Sequence, residues 1–191
     1  MPLATRHLHI DADTVRLVRG ADRAAFERMF RAHYVPLCDF VDRYVRSRET
    51  AEELVQDVFF NVWTSRDRWE VRDSIKAYLY GAARNRALNH LRHERTARRW
   101  EERVVAEDAT STVRPSPSNS LDRLESDEAA ATLRRAIAAL PERARAVVIL
   151  RWQHQLSYAE IAGAMGISVK GVENQLARAM KALREGLGSQ G

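Results

Sequence analysis

Hydrophobic positions along this chain recur at steps of three and four almost everywhere, and two-residue alternation is scarce. That spacing predicts helices rather than strands. The clearest stretch is Leu156 to Leu187. Ser157 is an N-cap candidate, Ala159, Ile161, Ala162 and Met165 form an apolar side, and Gly166 ends the helix where a positive φ is needed. Ser168 then caps a second helix with one apolar stripe, Val169, Val172, Leu176, Ala179 and Leu183. Lys170, Glu173, Asn174, Gln175, Arg178 and Lys181 stand between, on the solvent side. A short helix, a glycine turn and a polar-faced second helix make a helix-turn-helix pattern, whose second helix enters the DNA major groove. An ordinary helical hairpin with a solvated charged face has the same pattern.

Upstream, Phe26, Met29, Phe30 and His33 mark a helix from Asp22, and Pro36 sits where a further helix can begin, continued by Leu37, Phe40, Val41, Tyr44 and Val45. Thr50 and Glu53 have the spacing of a capping box. The next helix, AEELVQDVFFNVW, turns Leu54, Val55, Val58, Phe59 and Val62 inward and Glu52, Glu53, Gln56, Asp57 and Asn61 outward. Such an acidic and amide face is either solvated or a dock for a basic partner. Residues 64–73 read as a loop with Trp69 pinned against the helices. Ser74 caps a long helix in which Ile75, Tyr78, Leu79, Ala82, Leu88 and Leu91 are core candidates. Residues 1–21 lack strong periodicity and read as an arm or a short first helix. A helix from Ala129 through Leu133, Ile137 and Leu140, then another opened by Pro141, supply the core for the helix-turn-helix, a four-helix unit. The fold class is therefore all-α, two small helical domains joined by a flexible acidic linker.

Charge changes the picture locally more than globally. The net charge is +5, with 30% charged residues. Lys76, Arg84, Arg86, Arg92, Arg95, Arg98 and Arg99 crowd one helix against a single acid, Glu94. Tyr78, Tyr80 and Asn85 lie near them. Cations for phosphates with aromatic rings for unstacked bases suit single-stranded nucleic acid, and a solvated cationic helix end would look similar. The segment 99–128 reverses the sign and carries VRPSPSNS, a linker composition. The lone Cys38 excludes an internal disulfide and suits a reducing compartment. The absence of a long apolar run predicts a soluble, cytoplasmic chain without membrane insertion. His90 and His93, one turn apart, suggest no third metal ligand nearby and read as surface groups. No nucleophile with a base, phosphate-cradling glycine loop or paired carboxylates stands out, so neither an enzyme nor a cofactor is expected.

In order, the motifs FERMFRAHYVPLCDFVDRYV, AEELVQDVFFNVW, AYLYGAARNRALNHLR, LPERARAVVILRW and LSYAEIAGAMGISVKGVENQLARAMKALR resemble bacterial RNA polymerase sigma factors of the sigma-70 family, in the extracytoplasmic-function group. The resemblance covers about Asp22 to Leu187 and implies an arm (1–21), a region 2 domain (22–98), a linker (99–128) and a region 4 domain (129–188). It implies binding to core RNA polymerase, through the beta-prime clamp helices and the beta flap, and to promoter DNA, with an anti-sigma factor as a candidate further partner. By the same resemblance Glu53, Gln56, Asp57 and Asn61 bind core polymerase. Lys76, Tyr78, Tyr80, Arg84, Asn85, Arg86 and Arg92 act at the −10 element. Ser168, Lys170, Glu173, Asn174, Gln175, Ala177, Arg178 and Lys181 act at the −35 element. The loop from Arg68 to Asp73 matches the base-capturing loop, and the linker acids Glu101, Glu102, Glu107 and Asp108 are candidate mimics of RNA phosphates. Gly171 stands where threonine is common, and Glu173 and Asn174 depart from the usual residues. Glutamate can accept from cytosine and asparagine can pair with adenine, so an altered −35 preference is expected. The competing readings are a free-standing helix-turn-helix regulator with a sensory or dimerising N-terminal bundle, and a helical scaffold with no nucleic acid role.

Overall fold

The computed structural model describes residues 12–71, 74–107 and 128–188. All regular structure among them is helical. The helices are α1 (12–19), α2 (Arg23–Val45), α3 (Arg48–Thr64), α4 (Ile75–Glu107), α5 (Glu128–Ala139), α6 (Glu142–Val148), α7 (Tyr158–Met165) and α8 (Val169–Gly188). A short 3-10 turn, Arg66–Arg68, follows α3, and a π-helical turn, Ile149–Gln153, extends α6. Their described residues fall into two compact units. One takes 16–69 and 82–107, and the other takes 12–15, 70–81 and 128–188. The first two turns of α4 thus count with the C-terminal unit, and the rest of that helix with the N-terminal unit.

In the N-terminal unit, α2 is one helix through Pro36, where a fresh start was expected. A proline inside a helix loses one backbone bond and costs about 3 kcal/mol. Leu37, Cys38, Phe40 and Val41, all buried just beyond it, offset that cost by burial. Asp22 caps α2, accepting the Ala25 N–H at 2.9 Å. The link to α3 is only Arg46 and Ser47. Ser47 rather than Thr50 is the N-cap, accepting the Thr50 N–H at 3.2 Å. Facing rings join the two helices: Phe26 lies 4.9 Å from Trp63, Phe30 lies 4.8 Å from Phe59, and Tyr34 stacks on Phe30. Val55, Val58, Phe59 and Val62 fill the core as their spacing predicts, while Leu54 is half-buried. The apolar surroundings of Cys38 push its thiol up, which fits a packing role.

Ser74 caps α4, accepting the Ala77 N–H at 3.0 Å. The helix runs past Arg99 to Glu107, into the stretch expected to be linker. Neither glycine nor proline occurs between Arg99 and Pro115, so nothing in the local sequence stops it there. Glu101, Glu102 and Glu107 therefore sit on helix, whereas Asp108 and the Pro115 and Pro117 segment lie outside the described residues.

The C-terminal unit packs α5, α6 and α7 against α8. Leu140, Ala144, Val147, Leu150, Leu156, Ile161, Val172, Leu176, Ala179 and Leu183 form its interior. Leu133, expected inside, is 44% exposed. The helix-turn-helix begins with a full capping box: Ser157 accepts the Glu160 N–H, and Glu160 accepts the Ser157 N–H at 2.7 Å. Gly166 ends α7 at φ 63°, the left-handed conformation glycine tolerates best. Ser168 caps α8, accepting the Gly171 N–H at 3.0 Å. Two expected apolar positions lie outside: Ala159 is exposed, with Ala164 buried in its place, and Val169 is 43% exposed.

Candidate polymerase and nucleic-acid interfaces

Three polar helix faces carry the candidate residues. On α3, Glu53, Gln56, Asp57 and Asn61 are all exposed. They follow one another at the i, i+3, i+4, i+8 spacing of a single stripe. The missing i+7 position is Phe60, which sequence reading passed over as one apolar residue in an apolar run. It is 66% exposed in the middle of that acidic stripe. Its signal was available: Phe60 falls on the polar phase of the helix, not the core phase. The stripe is internally ordered. Gln56 Nε2 donates to the Tyr34 hydroxyl at 3.3 Å, and Asn61 Nδ2 donates to the Asp57 carbonyl at 2.7 Å. Arg86, from α4, donates to Asp57 Oδ2 at 3.1 Å. Both partners are more than a third exposed, and an exposed pair contributes at most about 1 kcal/mol. Arg86 can exchange Asp57 for another anion at little cost.

On α4 the candidates divide. Tyr78, Asn85 and Arg92 are exposed and stand seven residues apart, on one line along the helix. Asn89 falls on the same line, and its Oδ1 accepts from Arg92 at 2.9 Å. This residue was also missed. Arg84 is half-buried. Tyr80 is the correction: expected as an exposed stacking ring, it is 1% exposed, with its hydroxyl 2.8 Å from His154 Nδ1. Lys76 is half-buried beside Glu160. Burial holds its ammonium below the usual lysine range, although the Glu160 charge pulls the other way. The reason is periodicity: Lys76, Tyr80, Ala83 and Ala87 lie three or four apart on the packed side of the helix, opposite the Tyr78 line. Trp69, before the helix, is buried, and Arg72 and Asp73 of the expected base-capturing loop lie outside the described residues. His90 lies 3.6 Å from Glu94, its neighbour one turn on.

On α8 the expected face is presented intact. Ser168, Lys170, Glu173, Asn174, Ala177, Arg178 and Lys181 are exposed, and Gln175 is half-buried. Lys170 pairs with Glu173 at 2.9 Å, and Lys181 stands 3.8 Å from Glu185. Among the described residues no ion pair engages Arg178. Asn174, Ala177 and Arg178 therefore form an open centre flanked by charge pairs, a shape that can read base edges.

An exposed acidic helix stripe, a basic helix with an aromatic and amide line, and a helix-turn-helix are together the composition of a helical nucleic-acid-binding protein. Two family models match in order: Sigma-70 region 2 over residues 29–97, and Sigma-70 region 4 over residues 130–183. The RNA polymerase sigma factor CarQ of Myxococcus xanthus is 30% identical over 174 residues, covering 89% of this chain and 93% of CarQ. YlaC of Bacillus subtilis, also an RNA polymerase sigma factor, is 29% identical over 165 residues, 86% of this chain and 93% of YlaC. The extracytoplasmic-function sigma factor RpoE of Cereibacter sphaeroides is 29% identical over 179 residues, 91% of this chain and 94% of RpoE. Among solved structures, CnrH in complex with the cytosolic domain of CnrY matches with TM-score 0.65 at 21% identity, covering 95% of this chain and 99% of that one. RpoE of Bartonella quintana bound to the anti-sigma factor NepR matches at 0.54 and 23%, covering 85% and 96%. Both share the fold. The chain belongs to the sigma-70 family of RNA polymerase sigma factors, in the extracytoplasmic-function group. It is a transcription initiation factor that works with core polymerase on promoter DNA. The free-standing regulator and the scaffold give way on the region 2 match. No helix among the described residues is long and apolar enough to cross a membrane.

Proposed function

We propose that the chain divides promoter recognition among its three faces, and that it acts as a non-catalytic cytoplasmic subunit. The α3 stripe, Glu53, Gln56, Asp57 and Asn61 with Phe60 at its centre, docks on the beta-prime clamp helices. One aromatic ring ringed by acids and amides is the composition of an interface anchor, and this exposed Phe60 is the observation that carries the assignment. The Tyr78, Asn85 and Arg92 line meets the −10 strand, with Lys76, Arg84 and Arg86 contributing charge. Ser168, Lys170 and Lys181 hold the −35 backbone, Gln175 lies beside them, and Glu173, Asn174, Ala177 and Arg178 face the bases. The domain bounds remain 22–98 and 129–188, with the beta flap as the second polymerase contact. The solved complexes of CnrH with the cytosolic domain of CnrY and of RpoE with the anti-sigma factor NepR support an anti-sigma factor as a further partner.

The test is reconstitution with core polymerase. Asp57→Arg and Phe60→Ser abolish or strongly weaken core association while circular dichroism stays that of the native chain. Core association unchanged in both variants would remove α3 from the interface and sink this division of labour.

A further inference from the structure

The Sigma-70 region 2 match ends at residue 97, but α4 runs on as helix to Glu107. In that extension Trp100 is 66% exposed, the same as Phe60 on α3. Tryptophan is seldom left this open to water. Arg95, Arg98 and Arg99 beside it are exposed as well. Residues 88–100 hold a single acid, Glu94, which is engaged by His90 at 3.6 Å and by Arg98 at 3.8 Å. An open indole set among guanidiniums suits a polyanion that also offers an apolar edge, as the sugars of DNA do.

Helical phase ties this patch to the face already assigned to DNA. Asn85, Asn89, Arg92 and Thr96 follow one another at steps of four and three, and all are exposed. Trp100 comes four residues after Thr96, with Arg99 beside it, whereas Glu94 and Arg98 fall on the opposite side of the helix. The Thr96 hydroxyl donates to the Arg92 carbonyl at 3.0 Å, so Arg99 and Trp100 are the groups on this face with reach to spare, and Arg95 flanks them. At 1.5 Å per residue, Trp100 stands about 12 Å beyond Arg92 along the axis. That is about three to four base pairs at 3.4 Å each. The chain continues from this end of α4 towards the region 4 domain, which serves the −35 element, so the extension points upstream of the −10 element.

We propose that Trp100, Arg95 and Arg99 form a further DNA contact, on the duplex immediately upstream of the nucleotides met by Arg92. The two guanidiniums meet phosphates, and the indole lies against the sugar edge of the groove. A paired duplex offers no unstacked base, so the contact adds affinity and fixes register without reading sequence. This rests on the −10 assignment of α4 made above.

Two promoter forks without a −35 element test it, bound by the full chain in complex with core polymerase. Their −10 sequence is one that this holoenzyme selects from random DNA. The long fork carries about eight base pairs of duplex upstream of the −10 element, twice the reach of the extension; the short fork ends at that edge. Trp100→Ala, and Arg95→Ala with Arg99→Ala, each weaken binding to the long fork several-fold and leave the short fork unchanged. Trp100→Phe restores most of the loss. The double arginine variant also lowers the salt dependence on the long fork by about two counterions, which Trp100→Ala does not. Scrambling the upstream duplex changes nothing. Undiminished affinity for the long fork, or equal loss on both forks, would overturn the contact. So would loss of core association in Trp100→Ala, which would place the indole on polymerase instead. Asn85→Ala weakens both forks; if it weakened neither, the −10 reading of α4 would fail, and the extension with it.

Discussion

The two helices assigned to DNA, α4 and α8, differ in how their side chains were divided between core and solvent. On α8 the buried stripe is Val172, Leu176, Ala179 and Leu183, and the polar face opposite it is exposed. On α4 Tyr78 and Tyr80 look alike in sequence, yet one is 37% exposed and the other 1%. The helix α8 packs within one unit, so one stripe suffices. The helix α4 is shared by two units: Ile75, Ala77, Leu79 and Tyr80 fall in one, and Ala83 and Ala87 in the other. A helix with two sets of packing partners has a wider buried arc and a narrower exposed line, which here is Tyr78, Asn85, Asn89 and Arg92. A recognition helix that serves a single core keeps its reading face; one that also holds a fold together gives up part of it.

The largest test of that contrast compares the two tyrosines. Tyr80→Ala removes a buried aromatic ring and its 2.8 Å contact with His154, and truncations of this kind cost about 3–5 kcal/mol. Tyr78→Ala changes stability by about 0.5 kcal/mol or less, as exposed substitutions do, but loses about 1–3 kcal/mol of stacking at the −10 strand. Urea unfolding and binding to a premelted promoter fork separate the two. Comparable destabilisation by both substitutions would erase the distinction between the faces.

Most of the fold was legible because helix periodicity and caps are local. Ser157, Gly166, Ser168 and Ser74 sit where their chemistry requires, and each cap is made. Among the features that were not legible, three have separate reasons. Pro36 continues α2 because Leu37, Cys38, Phe40 and Val41 are buried around it, which propensity does not register. Tyr80 is buried by His154, 74 residues away, a pairing no window of sequence contains. Phe60 was hidden by its neighbour Phe59: adjacent rings read as one apolar run, although the helix sends one inward and the other out.

On the α8 side, Arg178→Ala costs about 1–3 kcal/mol at the −35 site and leaves core association intact. Gel shifts on holoenzyme with promoter duplexes measure the first, and co-purification the second. Loss of core binding in step with DNA binding would remove α8 from a purely DNA-reading role.

A pH titration addresses the α4 side. Burial raises the Glu160 carboxyl, but hydrogen bonds from Ser74 and Ser157 and the Lys76 charge outweigh it, so its pKa is held below the ordinary value. A depressed carboxylate stabilises the fold fully above its unfolded pKa and loses that contribution as pH falls through the folded one. Acid therefore weakens the contact of Ser74 with α7, and Glu160→Gln flattens that acid-side slope. Acid-side stability curves that coincide for wild type and E160Q would mean Glu160 is not the group responsible.

The smallest effect concerns Gly171, in the first turn of α8. Glycine within a helix costs about 1 kcal/mol relative to alanine. An added Cβ would meet Ser168 Oγ at 3.4 Å and Ile167 Cβ at 3.5 Å, ordinary contacts that leave the Ser168 cap in place. Gly171→Ala therefore stabilises the C-terminal unit by up to about 1 kcal/mol, read as a higher urea midpoint. Gly81→Ala carries the same propensity gain on α4 but sets its Cβ at 3.3 Å from the Ala164 backbone, so the gain is cancelled or reversed. If both variants are stabilised alike, α4 is as free of close packing at that point as α8 is, and the contrast between the two helices fails at the position where it is sharpest.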